Sequence, residues 1–423
     1  MSSTVARRAA RLALVSVLTL AGVARAQAPA QKPDSTPAVP GVKRDSQPAP
    51  IVPKKWYDRI LIRGYAQIRY NRIFADNPEY VCPACDRSVG FPGGISIRRA
   101  RIVIQGGLSD QVQLKIETDL VVSVGNDFNF LQLRELFGDV FVDKAHTGQA
   151  RLGLAKVPYG FDNLQSSSQR LPFDRSDAIA SGAPGERDLG LFAIWGTAPA
   201  RKELRALVDS GYKGEGDYGI VMIGLYNGQS LNRAELNDNK TVGARVSYPF
   251  MLPHHQVLEL GVSGFTGTYV LPVYLRTPGI VGEEGDSYLD QRVALSMFLA
   301  PMPFGLQAEW TWGNGPSYDP ETNTVGDKPL NGGYVMAMYR ANVLHRLFFP
   351  YARWQYYDGG KKNELDARYY LVKETELGVQ YAVLRGLTMT AAYMFGDRTF
   401  EDAVLRTNHQ KGSTLRLQAQ FNY

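Results

Sequence analysis

From Arg59 onward, apolar and polar side chains alternate with a period of two. Ile60, Ile62, Gly64, Ala66, Ile68 and Tyr70 make one series, and Leu61, Arg63, Tyr65, Gln67, Arg69 and Asn71 the other. Val112, Leu114, Ile116, Thr118 and Leu120 alternate with Gln111, Gln113, Lys115, Glu117 and Asp119. Leu415, Leu417, Ala419, Phe421 and Tyr423 alternate with Thr414, Arg416, Gln418, Gln420 and Asn422. Successive side chains of a β-strand point to opposite faces, so each run predicts a strand with one apolar and one polar face. Comparable runs lie near 59–73, 95–106, 110–122, 134–143, 149–157, 187–197, 218–227, 241–250 and 256–270. Others lie near 288–299, 304–313, 332–341, 347–358, 370–384, 387–397 and 413–423, which makes sixteen. The runs 134–143 and 187–197 alternate least well.

The connections add a second pattern. Short links (Gly107 to Ser109, Lys144 to Gly148, Ala300 to Pro303, Arg385-Gly386) alternate with long ones (74–94, 158–186, 271–287, 314–331, 398–412). Outer-membrane barrels have tight periplasmic turns and long outer loops. A soluble β-sandwich would explain the alternation of side chains but not this alternation of loops. Closing the sheet also leaves no unpaired edge, which a bilayer demands. The expectation is therefore an all-β fold, a transmembrane antiparallel β-barrel of sixteen strands. The segment 198–217 is long where a short turn is due, and the pattern offers no account of it.

Upstream of the strands the chain changes character. Arg7, Arg8 and Arg11 precede the apolar run Leu12 to Val23 and then Ala24-Arg25-Ala26. A basic start, an apolar stretch and a small-x-small site predict a secretory signal peptide over 1–26, cleaved after Ala26. The run is shorter than the roughly 20 residues that span a bilayer. Pro29, Pro33, Pro37, Pro40, Pro48, Pro50 and Pro53 then forbid regular pairing, so 27–55 is expected to be an extended periplasmic linker ahead of the barrel domain, 56–423.

Charge and composition narrow the function. The formal net charge of +6 misleads, because residues 1–55 hold nine of the 47 Lys and Arg but two of the 41 Asp and Glu. The body carries the remaining 38 basic and 39 acidic side chains. No strongly basic domain exists to neutralise phosphates, so nucleic acid is not an expected partner. With 42 Gly, 23 Tyr and 18 Phe beside 2 Cys, the chain suits strands and turns rather than a disulfide scaffold.

Four short motifs carry a resemblance. Ile97-Arg98-Arg99-Ala100-Arg101 opens the second strand, and Gly153-Leu154-Ala155-Lys156-Val157-Pro158-Tyr159-Gly160 leaves the fifth. Arg187-Asp188-Leu189-Gly190 and Leu225-Tyr226-Asn227-Gly228 follow. In this order and spacing the chain resembles the phosphate-selective porin O and P family over about 56–423. The resemblance implies a sixteen-stranded barrel in outer-membrane lipid, usually a homotrimer, that passes small anions. Tyr159 stands where that family more often has Phe. Its phosphate-specific members carry a ladder of Arg and Lys along the pore. Here the inferred inward faces offer Arg63, Arg69, Arg99, Arg101, Lys115, Arg151, Arg292, Arg353 and Arg416. They also offer Glu117, Asp119, Glu135, Asp139, Asp143, Asp290, Glu309, Glu374 and Glu376. With the signs nearly balanced, general porin function carries over and phosphate specificity does not. The expected function is passive diffusion of small solutes, anions such as phosphate among them. A non-selective or cation-tolerant pore and a non-conducting barrel stay open as alternatives.

Further candidates follow from position. By analogy with sixteen-stranded porins, the long third outer loop, 158–186, folds into the lumen, where Arg170, Asp174, Arg175 and Asp177 would make a charged eyelet. The alternative is a solvated outer loop. Strand parity puts Arg98 near an interface, on the face opposite Arg99 and Arg101. Cys82-Pro83-Ala84-Cys85 falls in the first long outer loop. A redox pair and half a zinc site are alternatives, and a small loop disulfide suits an oxidising envelope best. Phe421 and the terminal Tyr423 resemble the C-terminal signal read by the outer-membrane assembly machinery. Ser166-Ser167-Ser168 have no nearby His on a shared strand face, and G-x-S-x-G, Walker and H-E-x-x-H motifs are absent. No enzymatic activity, cofactor or metal is expected.

Overall fold

A computed structural model describes residues 56–74, 93–124 and 127–423; the leader, the linker, and Cys82 and Cys85 lie outside the described residues. The first eight strands are β1 (Ile60–Phe74), β2 (Gly93–Gly107), β3 (Val112–Val124), β4 (Asp127–Phe141), β5 (Gly148–Lys156), β6 (Arg187–Trp195), β7 (Val221–Tyr226) and β8 (Thr241–Met251). They continue as β9 (Val257–Val270), β10 (Ser287–Leu299), β11 (Phe304–Asp319) and β12 (Thr324–Tyr339, resumed past Arg340 as Ala341–Val343). The last four are β13 (Arg346–Gly360), β14 (Tyr369–Leu384), β15 (Leu387–Glu401) and β16 (His409–Asn422). Each strand pairs antiparallel with its sequence neighbour, and β16 closes on β1 from Tyr65↔Asn422 to Phe74↔Ser413. Closure leaves no sheet edge open to hydrocarbon among the described residues.

The alternation does what the sequence pattern requires. Along β8, Thr241, Arg245 and Ser247 are buried in the barrel while Val242, Val246 and Tyr248 stand exposed on the outside. This is a soluble protein's arrangement turned inside out, because the outer solvent is lipid. At the closing seam Tyr423 exchanges backbone hydrogen bonds with Gly64 at 2.9 and 3.0 Å, and a Cβ on Gly64 would lie 2.6 Å from the Tyr423 ring. The same Cβ would lie 2.2 Å from the Arg101 carbonyl oxygen, so the seam closes this tightly only on a glycine.

Three places depart from the sequence expectation. The stretch 314–331 is mostly not a loop, since β11 and β12 stay paired out to Asp319↔Thr324. β4 begins at Asp127, seven residues before the predicted start. The cause lies in a β-bulge: Glu117 pairs with Glu135 but Thr118 with Leu133, so Arg134 is an extra residue that resets the alternation. A second bulge makes Arg98 the extra residue, with Gln67 opposite Arg99 and Ile68 opposite Ile97. The segment 198–217 begins with a helix (Ala198–Asp209).

Candidate functional site

The third outer loop runs inward from the end of β5 and carries two short helices, α1 (Phe161–Leu164) and α2 (Asp177–Gly182), whose residues are almost all buried. It is tied to the barrel wall from β10 round through β16 to β1. Glu309 on β11 accepts from the backbone N–H groups of Phe161 (2.8 Å) and Asp162 (3.1 Å). Tyr159 shares a hydrogen bond with Thr311 at 2.7 Å, and Arg292 on β10 donates to Ser181 at 2.6 Å. Arg353 on β13 donates to the Asp174 carbonyl at 2.8 Å, and Arg398 on β15 to the Asp177 carboxylate at 3.0 Å. Gln67 on β1 donates to the Ser167 carbonyl at 3.1 Å. A chain fixed at so many points is a built wall and not a mobile lid.

Two carboxylates of the loop, Asp174 and Glu186, gather its charge. Arg69 (3.1 Å), Arg98 (3.0 Å) and Arg416 all reach the Asp174 carboxylate. Burial alone would raise the Asp174 carboxyl, but the guanidiniums of Arg69, Arg416, Arg98 and Arg99 outweigh it and hold it well below the usual carboxylate range. Glu186, at the far end of the loop, sits likewise: burial opposes ionisation, and Arg175, Arg187, Lys156 and Arg134 overcome it and hold its carboxyl well below the usual range.

The loop leaves space on the other side. Between its Ser166–Gln169 stretch and the wall formed by β1 to β5 lies a cavity of about 600 Å³. Arg63, Arg101, Lys115, Arg151, Lys156 and Arg187 line it from the strands, with Arg201 and Arg205 from the turn between β6 and β7. Glu117, Glu135, Asp139, Asp209, Glu215 and Asp217 are the acids among its lining residues. Eight basic side chains face six acidic ones, a formal excess of two positive charges. Most of these charges are paired. Arg101 lies 2.8 Å from Asp119 and 3.1 Å from Glu117, Lys115 2.5 Å from Glu135, Arg151 2.8 Å from Asp139, and Arg187 2.8 Å from Glu135.

The predicted site residues divide accordingly. Arg101, Lys115, Glu117, Asp139 and Arg151 line the cavity, Arg63 stands exposed at its periplasmic end, and Asp119 backs Arg101. Arg99 faces inward and donates to the neutral amide of Gln67 at 3.1 Å. Arg69 holds the loop through Asp174. Arg170 and Arg175 are turned in with the loop, but each has its own partner: Arg170 bonds Asp162 at 2.9 Å and Arg175 lies 3.1 Å from Glu186. Arg98 corrects the parity expectation. The bulge brings it inward beside Arg99, where it grips Asp174. Arg134, the other bulge residue, escaped the sequence reading and donates to the Gly185 carbonyl at 3.0 Å. Both bulges thus point an extra arginine at the inserted loop. Phe421 and Tyr423 face outward at the periplasmic rim.

Comparison with known proteins agrees with this geometry. The sequence profile of the phosphate-selective porin O and P family matches residues 79–423. No curated protein matches the chain significantly. Among solved structures, the outer membrane channel DcaP of Acinetobacter baumannii superposes with a TM-score of 0.52 at 11% identity, over 86% of this chain and 97% of that one. OprB of Pseudomonas putida gives 0.53 at 8% identity, over 86% and 94%. OmpT of Vibrio cholerae, described in a trimer form, gives 0.50 at 11% identity, over 86% and 100%. Such low identities carry the fold and no more. Family and fold together point to a channel rather than an enzyme. With a family profile matched over most of its length, the chain belongs to the phosphate-selective porin O and P family and is a porin of the bacterial outer membrane.

Proposed function

We propose that this porin passes small solutes by passive diffusion with a modest preference for anions and without tight phosphate binding. The observation that carries the reading is the cavity lining, eight basic side chains against six acidic, with most of the cations already held by carboxylates. A net positive wall raises the local anion concentration. Guanidiniums engaged on two sides offer little of the free bidentate fork that tight phosphate binding uses. The chain is proposed to reach the periplasm through its leader, cleaved after Ala26, to insert by way of the Phe421 and Tyr423 strand, and to assemble as a homotrimer in outer-membrane lipid. The trimer form of the Vibrio cholerae relative supports the last point. Cys82 and Cys85 are proposed to close a small loop disulfide. The function is tested in a planar bilayer with purified protein in a potassium chloride gradient. The expected result is a steady conductance whose reversal potential lies on the anion side. A reversal potential at zero or on the cation side would replace this reading with the non-selective or cation-tolerant one.

A further inference from the structure

Among the described residues, the turn between β6 and β7 is the one periplasmic connection that does not fit a barrel of short turns, and its side chains explain why. Its helix, α3 (Ala198–Asp209), has Pro199 in its first turn, which costs no hydrogen bond there. Ala200, Leu204 and Leu207 fall at i, i+4 and i+7 and are buried, while Lys202 and Arg205 are exposed. One apolar stripe on a helix needs a cover.

The cover is the lumen wall itself. Porin lumens are polar, yet Ile194, Met222, Met336, Met338 and Phe349 all face inward, in one buried cluster with Leu207. Left to water, each such side chain would forfeit about 1.5–3 kcal/mol of burial. Tyr212 and Tyr218, which follow the helix, pack on the same cluster.

Beyond the helix the chain crosses the barrel. Lys213 donates from Nζ to Gln380 Oε1 at 2.5 Å on β14, seven strands round from β7, and lies 4.7 Å from the centre of the Phe349 ring. Gln165 of the inserted outer loop donates to the Lys213 carbonyl at 2.6 Å, so the two inserted segments meet. Arg245 on β8 then donates to Glu215 and, at 2.9 Å, to Glu259. Arg201 closes the base, 2.9 Å from Asp217 and donating to Gln149 at 2.9 Å. The polar cavity described above lies on the β1–β5 side, bordered by Arg201, Arg205 and Glu215 of this segment.

We propose that residues 197–219 are a resident periplasmic plug, latched across the lumen by Lys213, that confines the aqueous path to the β1–β5 side and sets its size limit. The proposal rests on the channel reading above. Solutes pass two barriers in series, the outer loop and then this plug, and the second limits cross-section more than charge.

The test replaces 197–219 by a two-residue Asn-Gly turn and measures single-channel conductance and the rate of liposome swelling in sugars of increasing mass. At least a two-fold rise in conductance is expected, with larger sugars admitted. Because the shortened chain exposes apolar lumen and can fail to fold, Leu204→Glu/Leu207→Glu is measured beside it. That variant keeps the length, loses the apolar contact, and is expected to raise conductance in the same direction. A conducting wild type with both variants folded and unchanged would overturn the plug and leave the channel reading intact. Silence in the wild type with conduction in either variant would overturn the open path but keep the plug. Silence in all three would overturn both.

Discussion

Arg69 of β1 and Asp174 of the inserted loop stand 3.1 Å apart, each side chain nearly sealed from solvent. The pair joins the first strand to a residue 105 positions later, and Arg98 and Arg416 converge on the same carboxylate. Three guanidiniums around one buried anion is an arrangement held by that anion.

Neutralising Asp174 is therefore expected to release the loop. Asp174→Asn leaves the arginines buried and facing one another, and breaking a buried pair costs about 3–5 kcal/mol. The measurement is limited trypsin digestion of the folded barrel, with Arg170 and Arg175 as the reporting sites. The wild type should resist cleavage there and the variant should be cut. The carboxyl is depressed, so the stabilisation it contributes is present above the ordinary carboxylate range and lost only as pH falls through its lowered value. Protection in the wild type should thus persist well into acid. Equal protection in Asp174→Asn would remove the carboxylate as the anchor.

The plug should respond to pH in the opposite sense. Burial pushes the Glu215 carboxyl well above its ordinary range; Arg245 pulls it down, while Glu259 and Glu309 push it up further. Seating therefore favours the protonated form. A group with a raised value when seated binds more protons there than when free, so seating weakens as pH rises from the ordinary carboxylate value upward. Single-channel conductance is expected to rise with pH in that window. Glu215→Gln should flatten the dependence, and a wild type with pH-independent conductance would speak against Glu215 as the sensor.

The strands were legible because lipid outside and water inside enforce a strict period of two. The bulges were legible as well, though strand parity passes over them. Apolar positions run Ile95, Ile97 and then Ala100, Ile102, Ile104, and again Leu131, Leu133 and then Leu136, Val140. A step of three inside a period of two marks one extra residue, and Arg98 and Arg134 are the residues inserted. Hidden in the sequence was the long β11–β12 hairpin, since Gly313, Gly315, Pro316 and Pro329 carry turn chemistry while sitting in paired strand. The helix spacing of Ala200, Leu204 and Leu207 could be read too, but not its destination. That depends on Met222, Met338 and Phe349, which break the polar-inside rule on strands far apart in the chain.

Removing the last strand is expected to abolish the barrel. β16 pairs with β1 on one side and β15 on the other, so deleting 413–423 leaves two strands with unmet backbone groups at membrane depth. The check is gel mobility of the detergent-extracted protein with and without boiling. A truncated chain that still shows the faster, folded band would show that closure does not need this strand.

Selectivity separates two neighbouring arginines. Arg99 and Arg101 share the lumen face, two residues apart and so about 6–7 Å along the strand. Arg101 lies between Asp119 at 2.8 Å and Glu117 at 3.1 Å, whereas Arg99 donates to the neutral Gln67 and has Arg98 beside it. Arg101→Gln would leave two buried carboxylates short of a partner. It should both shift the reversal potential toward cations and destabilise the barrel, by about 3–5 kcal/mol on the scale of a broken buried pair. Arg99→Gln strands no carboxylate, so it should move the reversal potential with little loss of stability. The double substitution Arg99→Glu/Arg101→Glu should carry the potential to the cation side. At 4 Å a unit pair interacts by about 4 kcal/mol in an effective dielectric of 20, so such a reversal outweighs a net lining charge of two. Reversal potentials in a potassium chloride gradient, measured beside thermal unfolding, decide it. A double variant with the wild-type potential would rule out these arginines as the selectivity element.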